Sequence, residues 1–346
     1  MKKFLSIALF LSLILSFAAC GGGAKETAPP ATAAPTTAPP TATIEPTDPA
    51  DKDKNPESNP DSSKETPDIT QDRDENPITL PESVERVMCF GPATNEVILA
   101  IGESAKLIAI DTYSADIENI DLSLPQFDMM EPDAEKILSL EPDIIFVTGM
   151  SRWGGNDPYK PISDAGICVI YIPSSSNIEA IKEDILFVAA VFGKSAEGKA
   201  LVAEMETEIA AIESIGSVIA EKKKVYFEIG ESPSLYSFGT GVFLNEMLEI
   251  IGAENIFAAE KEWISIADEQ ILGANPDVIL TTVYYIDDPI GAILSRPGWD
   301  AINAIAANDV YYIDANASNR PNHNIVKALR EMALAVYPDL YGFLSE

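Results

Sequence analysis

The chain has 346 residues, with 55 Asp and Glu against 23 Lys and Arg, and its formal net charge is −32 at pH 7. This negative charge argues against a nucleic acid ligand, because affinity for a phosphate backbone depends on Lys and Arg. A single histidine argues against His-based triads, HExxH sites and poly-histidine metal sites. With 46% hydrophobic residues the chain can still bury a core, and its length suggests two domains.

The N-terminus is typical of an exported protein. A basic start, Met1-Lys2-Lys3, precedes an apolar run over residues 4–17, which is shorter than the ~20 residues of a membrane-spanning helix. The following Ala18-Ala19-Cys20 resembles a bacterial lipobox, with Phe17 where Leu is usual. We therefore expect a signal peptide over 1–19 and a lipid on the thiol of Cys20. An ordinary secretory signal with an incidental cysteine is the alternative.

A spacer is predicted after the lipidated cysteine. From Ala24 to about Pro67 the chain consists of Thr, Pro, Ala, Asp, Lys and Ser with almost no large apolar residue. Such a composition cannot offset the entropy of ordering and predicts a flexible linker over 20–67. The linker would hold a folded domain away from the membrane yet within reach of a membrane partner.

Beyond Asn76, short apolar runs alternate with segments of helical periodicity. This alternation predicts an α/β fold with mainly parallel sheets. The predicted strands span residues 86–90, 107–110, 143–147 and 168–172, then 224–229, 277–281 and 310–313.

Two segments of the sequence are repeated in the same order. Residues 95–102 (NEVILAIG) recur at 245–252 as NEMLEIIG, and residues 135–145 (EKILSLEPDII) recur at 269–279 as EQILGANPDVI. In the second pair a helix is expected to end before the Pro-Asp, where a strand begins. The repeats predict two similar Rossmann-like lobes with a ligand cleft between them.

The segment between the repeats contains no strand-like stretch. Ser176 with Glu179 three residues later indicates a capping box, and apolar residues then keep helical spacing. A long rigid helical connection over 176–222 is therefore predicted to join an N-terminal lobe over 68–175 to a C-terminal lobe over 223–346. We expect only a small closure when a ligand binds.

Candidate ligand-binding residues follow the predicted strands, because ligands of open parallel sheets lie at the carboxyl ends of the strands. Aromatic side chains accumulate there, which favours a large, flat or partly apolar chelate. Alternatively the aromatic residues pack within the lobes, the arginines form internal salt bridges, and His323 is a simple hydrogen-bonding residue. The candidates are Pro92, Thr94, Tyr113, Arg152, Trp153, Tyr236, Phe238, Trp263, Tyr284, Tyr285, Arg320 and His323.

Over residues 68–346 the chain resembles the substrate-binding proteins of ABC importers for iron-siderophores, haem and cobalamin. The resemblance rests on residues 80–87 (LPESVERV), 95–102, the two ExILxxxPD units, 252–256 (GAENI), 297–299 (PGW) and 320–321 (RP). It implies that Glu135 and Glu269 dock into arginine pockets of a dimeric permease. The alternative is that each carboxylate is solvated near a helix N-terminus.

The resulting hypothesis is a non-enzymatic, monomeric receptor on the outer side of the cytoplasmic membrane. It would bind a siderophore, haem or corrinoid chelate, with no resident cofactor or metal of its own. A lipid-anchored hydrolase that uses cleft carboxylates and a surface interaction protein are the alternatives. Cys89 and Cys168 are expected to be buried, reduced thiols, although a pair between them is open.

Overall fold

The computed structural model describes residues 69–345. The predicted signal peptide, the predicted lipidation site at Cys20 and nearly all of the linker lie outside these residues. No helix within residues 69–345 is long and apolar enough to span a membrane.

Strands and helices alternate along the chain. The strands are β1 (Val87–Phe90), β2 (Leu107–Asp111), β3 (Gln126–Phe127), β4 (Ile144–Thr148), β5 (Cys168–Ile172), β6 (Lys224–Glu228), β7 (Tyr236–Phe238), β8 (Glu254–Asn255), β9 (Trp263–Ser265), β10 (Val278–Thr281) and β11 (Val310–Tyr312). The helices are α1 (Pro92–Ala100), α2 (Ala134–Ser139), α3 (Lys160–Asp164), α4 (Ile178–Val191), α5 (Ser195–Gly216), α6 (Phe243–Ile250), α7 (Asp268–Ala274), α8 (Pro289–Leu294), α9 (Asn303–Ala307), α10 (Ala315–Asn319), α11 (Ile325–Val336) and α12 (Pro338–Tyr341). Short 3₁₀ segments occur at Ser104–Lys106, Thr112–Ser114, Gly149–Gly155 and Gly342–Ser345.

The first sheet has the strand order β3-β2-β1-β4-β5, and all of its pairs are parallel. Every residue of β1 is buried, and successive side chains enter different cores. Val87 and Cys89 belong to one hydrophobic cluster, Met88 and Phe90 to another. Because both faces of a parallel sheet are covered, its strands are apolar throughout instead of alternating with polar residues.

The second sheet repeats this arrangement. Its order is β11-β10-β6-β8, again with parallel pairs. The strands β7 and β9, which alternate with β6, β8 and β10 in the sequence, form a separate two-stranded antiparallel sheet. Taken from its other edge, β8-β6-β10-β11 corresponds to β2-β1-β4-β5. The predicted fold of two similar lobes with parallel sheets is confirmed.

The Pro-Asp units of the repeat form the same local structure in both lobes. The Oδ2 atom of Asp143 accepts a hydrogen bond from the N–H of Arg86 over 2.8 Å, and Asp277 accepts one from Lys224 over 2.9 Å. Each aspartate N–H in turn donates to the carbonyl of the same partner over 2.8 Å. The residue two positions earlier has a positive φ in both copies, 47° and 49°. Each aspartate thus aligns the start of the central strand, β1 or β6.

The connection between the sheets consists of two helices, α4 and α5, and not of the one long rigid helix expected from the sequence. Helix α4 ends before Gly193, which has a φ of +67°, and α5 folds back against it. The contact is close, since a Cβ at Gly198 would lie 2.5 Å from that of Ala189. The predicted N-cap was wrong by one residue: the Oδ1 atom of Asn177, not Ser176, accepts from the N–H of Ala180 over 2.8 Å. Ser and Asn are both common at the N-cap of a helix, so the sequence could not show which of the two residues caps α4.

All seven strands expected from the sequence are present, with ends that differ by at most one residue. The strands β3, β7, β8 and β9 were not predicted. Each has only two or three residues, which is too short for an alternating pattern to be recognised.

Candidate functional site

The carboxyl ends of the two sheets meet through polar contacts. The Nη2 atom of Arg320, beyond β11, donates to the carbonyl of Tyr113, beyond β2, over 3.0 Å. The same nitrogen lies 2.6 Å from Oδ1 of Asp116, and the amide of Asn316 donates to Oδ2 of Asp116 over 3.0 Å. We call the region between these two sheet edges the interlobe cleft. The segments that border it, which we call the cleft loops although they include β7 and α10, span residues 91–94, 111–116, 128–131, 148–157 and 173–176 in the first lobe, and 229–241, 261–263, 282–287 and 312–323 in the second.

Four exposed aromatic residues lie on the second-lobe side of the cleft. The rings of Tyr236 and Trp263 are nearly parallel, at 5°, with centroids 6.3 Å apart. Those of Tyr284 and Tyr285 meet edge to face, with centroids 5.8 Å apart. The backbone N–H of Glu231 donates to the Tyr285 hydroxyl over 3.1 Å, which holds this ring against the loop after β6. Exposed apolar surface of this kind is typical of a binding face.

The first-lobe side carries Tyr113 and two methionines. Tyr113 is 55% exposed, and the buried carboxylate of Asp111 accepts a hydrogen bond from its N–H over 2.8 Å. Burial raises the pKa of the Asp111 carboxyl. Met130 follows β3 and Met150 follows β4, and both are exposed. Sequence reasoning missed both methionines. Met150 follows a predicted strand and could have been chosen, whereas Met130 follows β3, which was not predicted.

Three other predicted site residues, Phe238, Thr94 and Pro92, are buried or half-buried. Phe238 is fully buried and packs between Phe227 and Trp263, with ring centroids 5.4 and 6.1 Å away. Its prediction as a ligand contact was wrong, because its strand, β7, turns this ring into the core. Thr94 is also buried, and Pro92 is half-buried at the first residue of α1. The side chain of Trp153 lies outside the described part of the structure.

Arg152 is paired within the first lobe. Its Nη1 atom donates to Oδ2 of Asp74 over 2.7 Å, and its Nε atom lies 3.5 Å from Oδ2 of Asp157. The guanidinium carbon lies 3.3 Å from the centroid of the Tyr171 ring. The arginine is therefore engaged by two carboxylates and an aromatic face.

Arg320 is paired across the lobes. In addition to Asp116, its Nη1 atom contacts Oε1 of Glu96 in α1 over 3.0 Å. The amides of Asn322 and Asn324 donate to the other carboxylate oxygen of Glu96, over 2.7 and 2.6 Å. These contacts place Arg320 in an internal salt bridge, the alternative that the sequence had left open.

A third arginine is neutralised at the end of β6. Nη1 and Nη2 of Arg296 contact Oε2 and Oε1 of Glu228 over 2.7 and 3.0 Å, and both side chains are buried. The guanidinium also covers the ring of Trp299, 4.2 Å from its centroid. Sequence patterns gave no indication of this pair, since the partners are far apart in the chain.

His323 is half-buried before α11. Burial lowers the pKa of its imidazole, while the carboxylates of Glu96 and Glu204 act in the opposite direction. Its Nδ1 atom has no hydrogen-bond partner among the described residues. The imidazole is therefore neutral near pH 7.

Glu135 and Glu269 occupy equivalent positions in the two lobes. Each is the second residue of its helix, α2 or α7, and each is exposed. Neither forms an ion pair with any residue of 69–345. Two unpaired carboxylates thus stand at matching places on the surface.

Two further features of the described residues are a pair of thiols and a groove between helices. Cys89 and Cys168 are free thiols, and burial raises the pKa of Cys168 to about 11. The described residues contain no group of His, Cys, Asp and Glu that could hold a metal ion. A groove of about 490 Å³ lies between α4, α5 and α6, lined by residues such as Ile178, Glu206 and Glu249. Its lining comes from these three helices and from Ser217, with no strand residue among it.

The family model described as "Periplasmic binding protein" matches residues 87–317. The chain belongs to the periplasmic binding protein family. Membership agrees with the paired parallel sheets and supports an extracytoplasmic location in an ABC import system.

Proteins similar to this chain differ in the ligands that their names state, and one of them is uncharacterized. The uncharacterized ABC transporter substrate-binding lipoprotein YvrC of Bacillus subtilis is 27% identical over 271 residues, which are 76% of this chain and 83% of that protein. The molybdate-bound structure of MolA from Haemophilus influenzae has a TM-score of 0.67 at 22% identity, covering 80% of this chain and 92% of that one. The haem-binding protein RhuT of Roseiflexus sp. RS-1 has a TM-score of 0.66 at 22% identity, covering 74% and 99%. At these identities the two solved structures show the fold alone.

Proposed function

We propose that the protein is the non-enzymatic receptor of an ABC importer that captures a metal chelate in the interlobe cleft and delivers it to the permease. The chelate would be an iron-siderophore, haem or a corrinoid. The observation that carries the proposal is that large apolar side chains are exposed on both sides of the cleft. Tyr113 on the first-lobe side is 55% exposed, and Tyr284 on the second-lobe side is 67% exposed.

The shape of the apolar surface favours a bulky ligand. The Tyr236 and Trp263 rings lie parallel and offset, so together they present a surface wider than one ring. Stacking on such a surface suits a macrocycle or an organic iron complex, whereas a bare ion would require convergent ligand atoms. Tyr113, Met130 and Met150 would contact the opposite face of the ligand.

Delivery to a permease would use Glu135 and Glu269. Both carboxylates are exposed on helices that the repeat makes equivalent. Two matching carboxylates, one per lobe, suit a permease dimer that offers one basic pocket per subunit. The same residues also stabilise their helices through the dipole, by ~0.3–1 kcal/mol each.

The proposal also covers the N-terminal segment, the lobe boundaries and the oligomeric state. A signal peptide over 1–19 is removed, Cys20 carries the lipid, and 20–67 serves as the tether. The lobes span 68–175 and 223–346, with 176–222 as their connection, and the receptor is a monomer. The relatives are substrate-binding transport proteins, which favours a receptor over the hydrolase alternative.

Titration of tryptophan fluorescence tests the proposal. The chain has three tryptophans, and Trp263 is exposed at the cleft whereas Trp299 is buried. Haem, cyanocobalamin, ferrichrome and ferric enterobactin are the probes, and at least one should quench the emission saturably. A Trp263→Phe variant should give a smaller change than the wild-type protein, with the remaining change assigned to Trp153 in the loop after β4. No saturable response to any probe, checked by calorimetry, would contradict the proposed function.

A further inference from the structure

The cleft loops hold few cations and many carboxylates. Their cationic residues are Arg152, Lys261 and Arg320. Their acidic residues are Asp111, Asp116, Asp128, Glu131, Asp157, Glu231, Glu262, Asp287 and Asp314. An anionic ligand would therefore enter a region of negative potential unless the cations are free to meet it.

The two arginines are not free. Arg152 already contacts Asp74 over 2.7 Å and covers the Tyr171 ring. Arg320 contacts Glu96 over 3.0 Å and Asp116 over 2.6 Å. An anion that recruited either guanidinium would have to displace a carboxylate already bound to it, leaving that carboxylate unpaired near the ligand. Such unpaired charges oppose binding strongly when they are partly buried.

The other basic groups near the cleft loops do not offset the excess of carboxylates. Lys327, in α11, pairs with Asp314 and so compensates only one of them. Arg296, at the end of β6, is buried against Glu228 with two contacts of 2.7 and 3.0 Å. His323 is neutral because burial lowers the pKa of its imidazole. Lys261 is exposed and forms no ion pair within residues 69–345, but Glu262 follows it directly. One ammonium group cannot compensate for the surrounding carboxylates.

We infer that the interlobe cleft selects a chelate without net negative charge, of the corrinoid or ferric trihydroxamate class, and discriminates against anionic chelates and oxyanions. In a ferric trihydroxamate, singly charged ligand groups cancel the charge of the ferric ion. Catecholates carry double charges and leave an anionic complex, haem carries propionates, and molybdate is an oxyanion. The inference rests on the proposed function and narrows its substrate class.

Calorimetric titration of the full chain at low ionic strength tests this selectivity for neutral over anionic ligands. The probes are cyanocobalamin and ferrichrome as neutral chelates, and ferric enterobactin, haem and sodium molybdate as anionic ligands. We expect at least one neutral probe to bind at least 100-fold more tightly than every anionic probe. An anionic chelate that binds as tightly as the neutral ones would overturn the inference and leave the proposed function standing. If no chelate binds, the proposed function itself fails.

Variants that remove one carboxylate partner of each cleft arginine test the physical cause. Asp74→Asn removes a partner of Arg152, and Asp116→Asn removes a partner of Arg320. Each should raise the ratio of anionic to neutral affinity at least tenfold. Asp164→Asn is the matched control, because Asp164 pairs with Lys160 in α3, outside the cleft loops, over 2.7 Å. Ratios that rise no more in the two cleft variants than in the control would contradict the account.

Discussion

The carboxylate of Glu96 accepts a hydrogen bond from Arg320 over 3.0 Å and so joins α1 of the first lobe to the segment before α11 of the second. The amides of Asn322 and Asn324 bind its other oxygen. One carboxylate thus receives three donors from the opposite lobe.

Glu246, which corresponds to Glu96 in the sequence repeat, makes a related contact. Its Oε2 atom accepts from the N–H of Ile178, at the start of α4, over 2.7 Å. Helix α4 follows the last strand of the first sheet, as α10 and α11 follow the last strand of the second. Each repeat glutamate therefore binds the beginning of a helix that leaves the other sheet. The repeat preserves a contact between each lobe and a helix that follows the other sheet, as well as the fold of each lobe.

Replacing Glu96 by Gln should destabilise the protein by about 2–3 kcal/mol, because Arg320 loses the buried one of its two carboxylate partners and keeps only the exposed Asp116. Equilibrium unfolding in urea measures the change. Glu118→Gln is the control, since Glu118 is exposed in the same lobe and forms no ion pair within residues 69–345. A loss of stability no larger than that of the control would contradict the role assigned to Glu96.

The sequence predicted the architecture better than the contacts between side chains. The NExxxxxG repeat and the Pro-Asp units indicated two lobes, because buried strands and helix ends depend on local pattern. The pattern could not show that Glu96 meets Arg320, because the two residues are 224 positions apart in the chain. Phe238 was misplaced for a related reason: a strand of three residues does not indicate which side chain faces the core.

The aromatic pair should contribute directly to ligand affinity. Trp263→Ala is expected to weaken binding of the chelate identified by titration at least tenfold, because it removes half of a stacked surface. Calorimetry of the variant gives the affinity. Phe343→Ala serves as control, since Phe343 is an exposed aromatic residue of the C-terminal segment. Equal affinities of the two variants would contradict a stacking role for Trp263.

Glu135 and Glu269 should be required for transport and not for ligand binding. The double variant Glu135→Ala/Glu269→Ala is expected to retain ligand affinity within twofold and to lose uptake, because only the contact with the permease is removed. Ligand uptake into cells that lack the wild-type receptor measures transport. Glu118→Ala/Glu254→Ala removes one exposed glutamate per lobe at other positions and should transport normally. Unimpaired uptake by the Glu135/Glu269 variant would refute docking through these residues.

The single histidine gives a pH test of the interlobe packing. Burial places the pKa of His323 below its ordinary value of about 6.5. As the pH falls through about 6.5, the unfolded chain takes up a proton before the native protein does, so stability should decrease. The histidine is the only one in the chain, so one NMR resonance reports its titration. A midpoint at or above about 6.5 would contradict the packing of this ring. A His323→Gln variant should lose this contribution to the pH dependence.

Native mass spectrometry of the receptor, isolated from its own cells without removal of bound ligand, is the most direct measurement. Together with an absorption spectrum, it should reveal one tightly bound chelate per chain, with the metal identified by elemental analysis. A receptor that emerges without any adduct, and that binds none of the chelate probes when they are added back, would contradict the account.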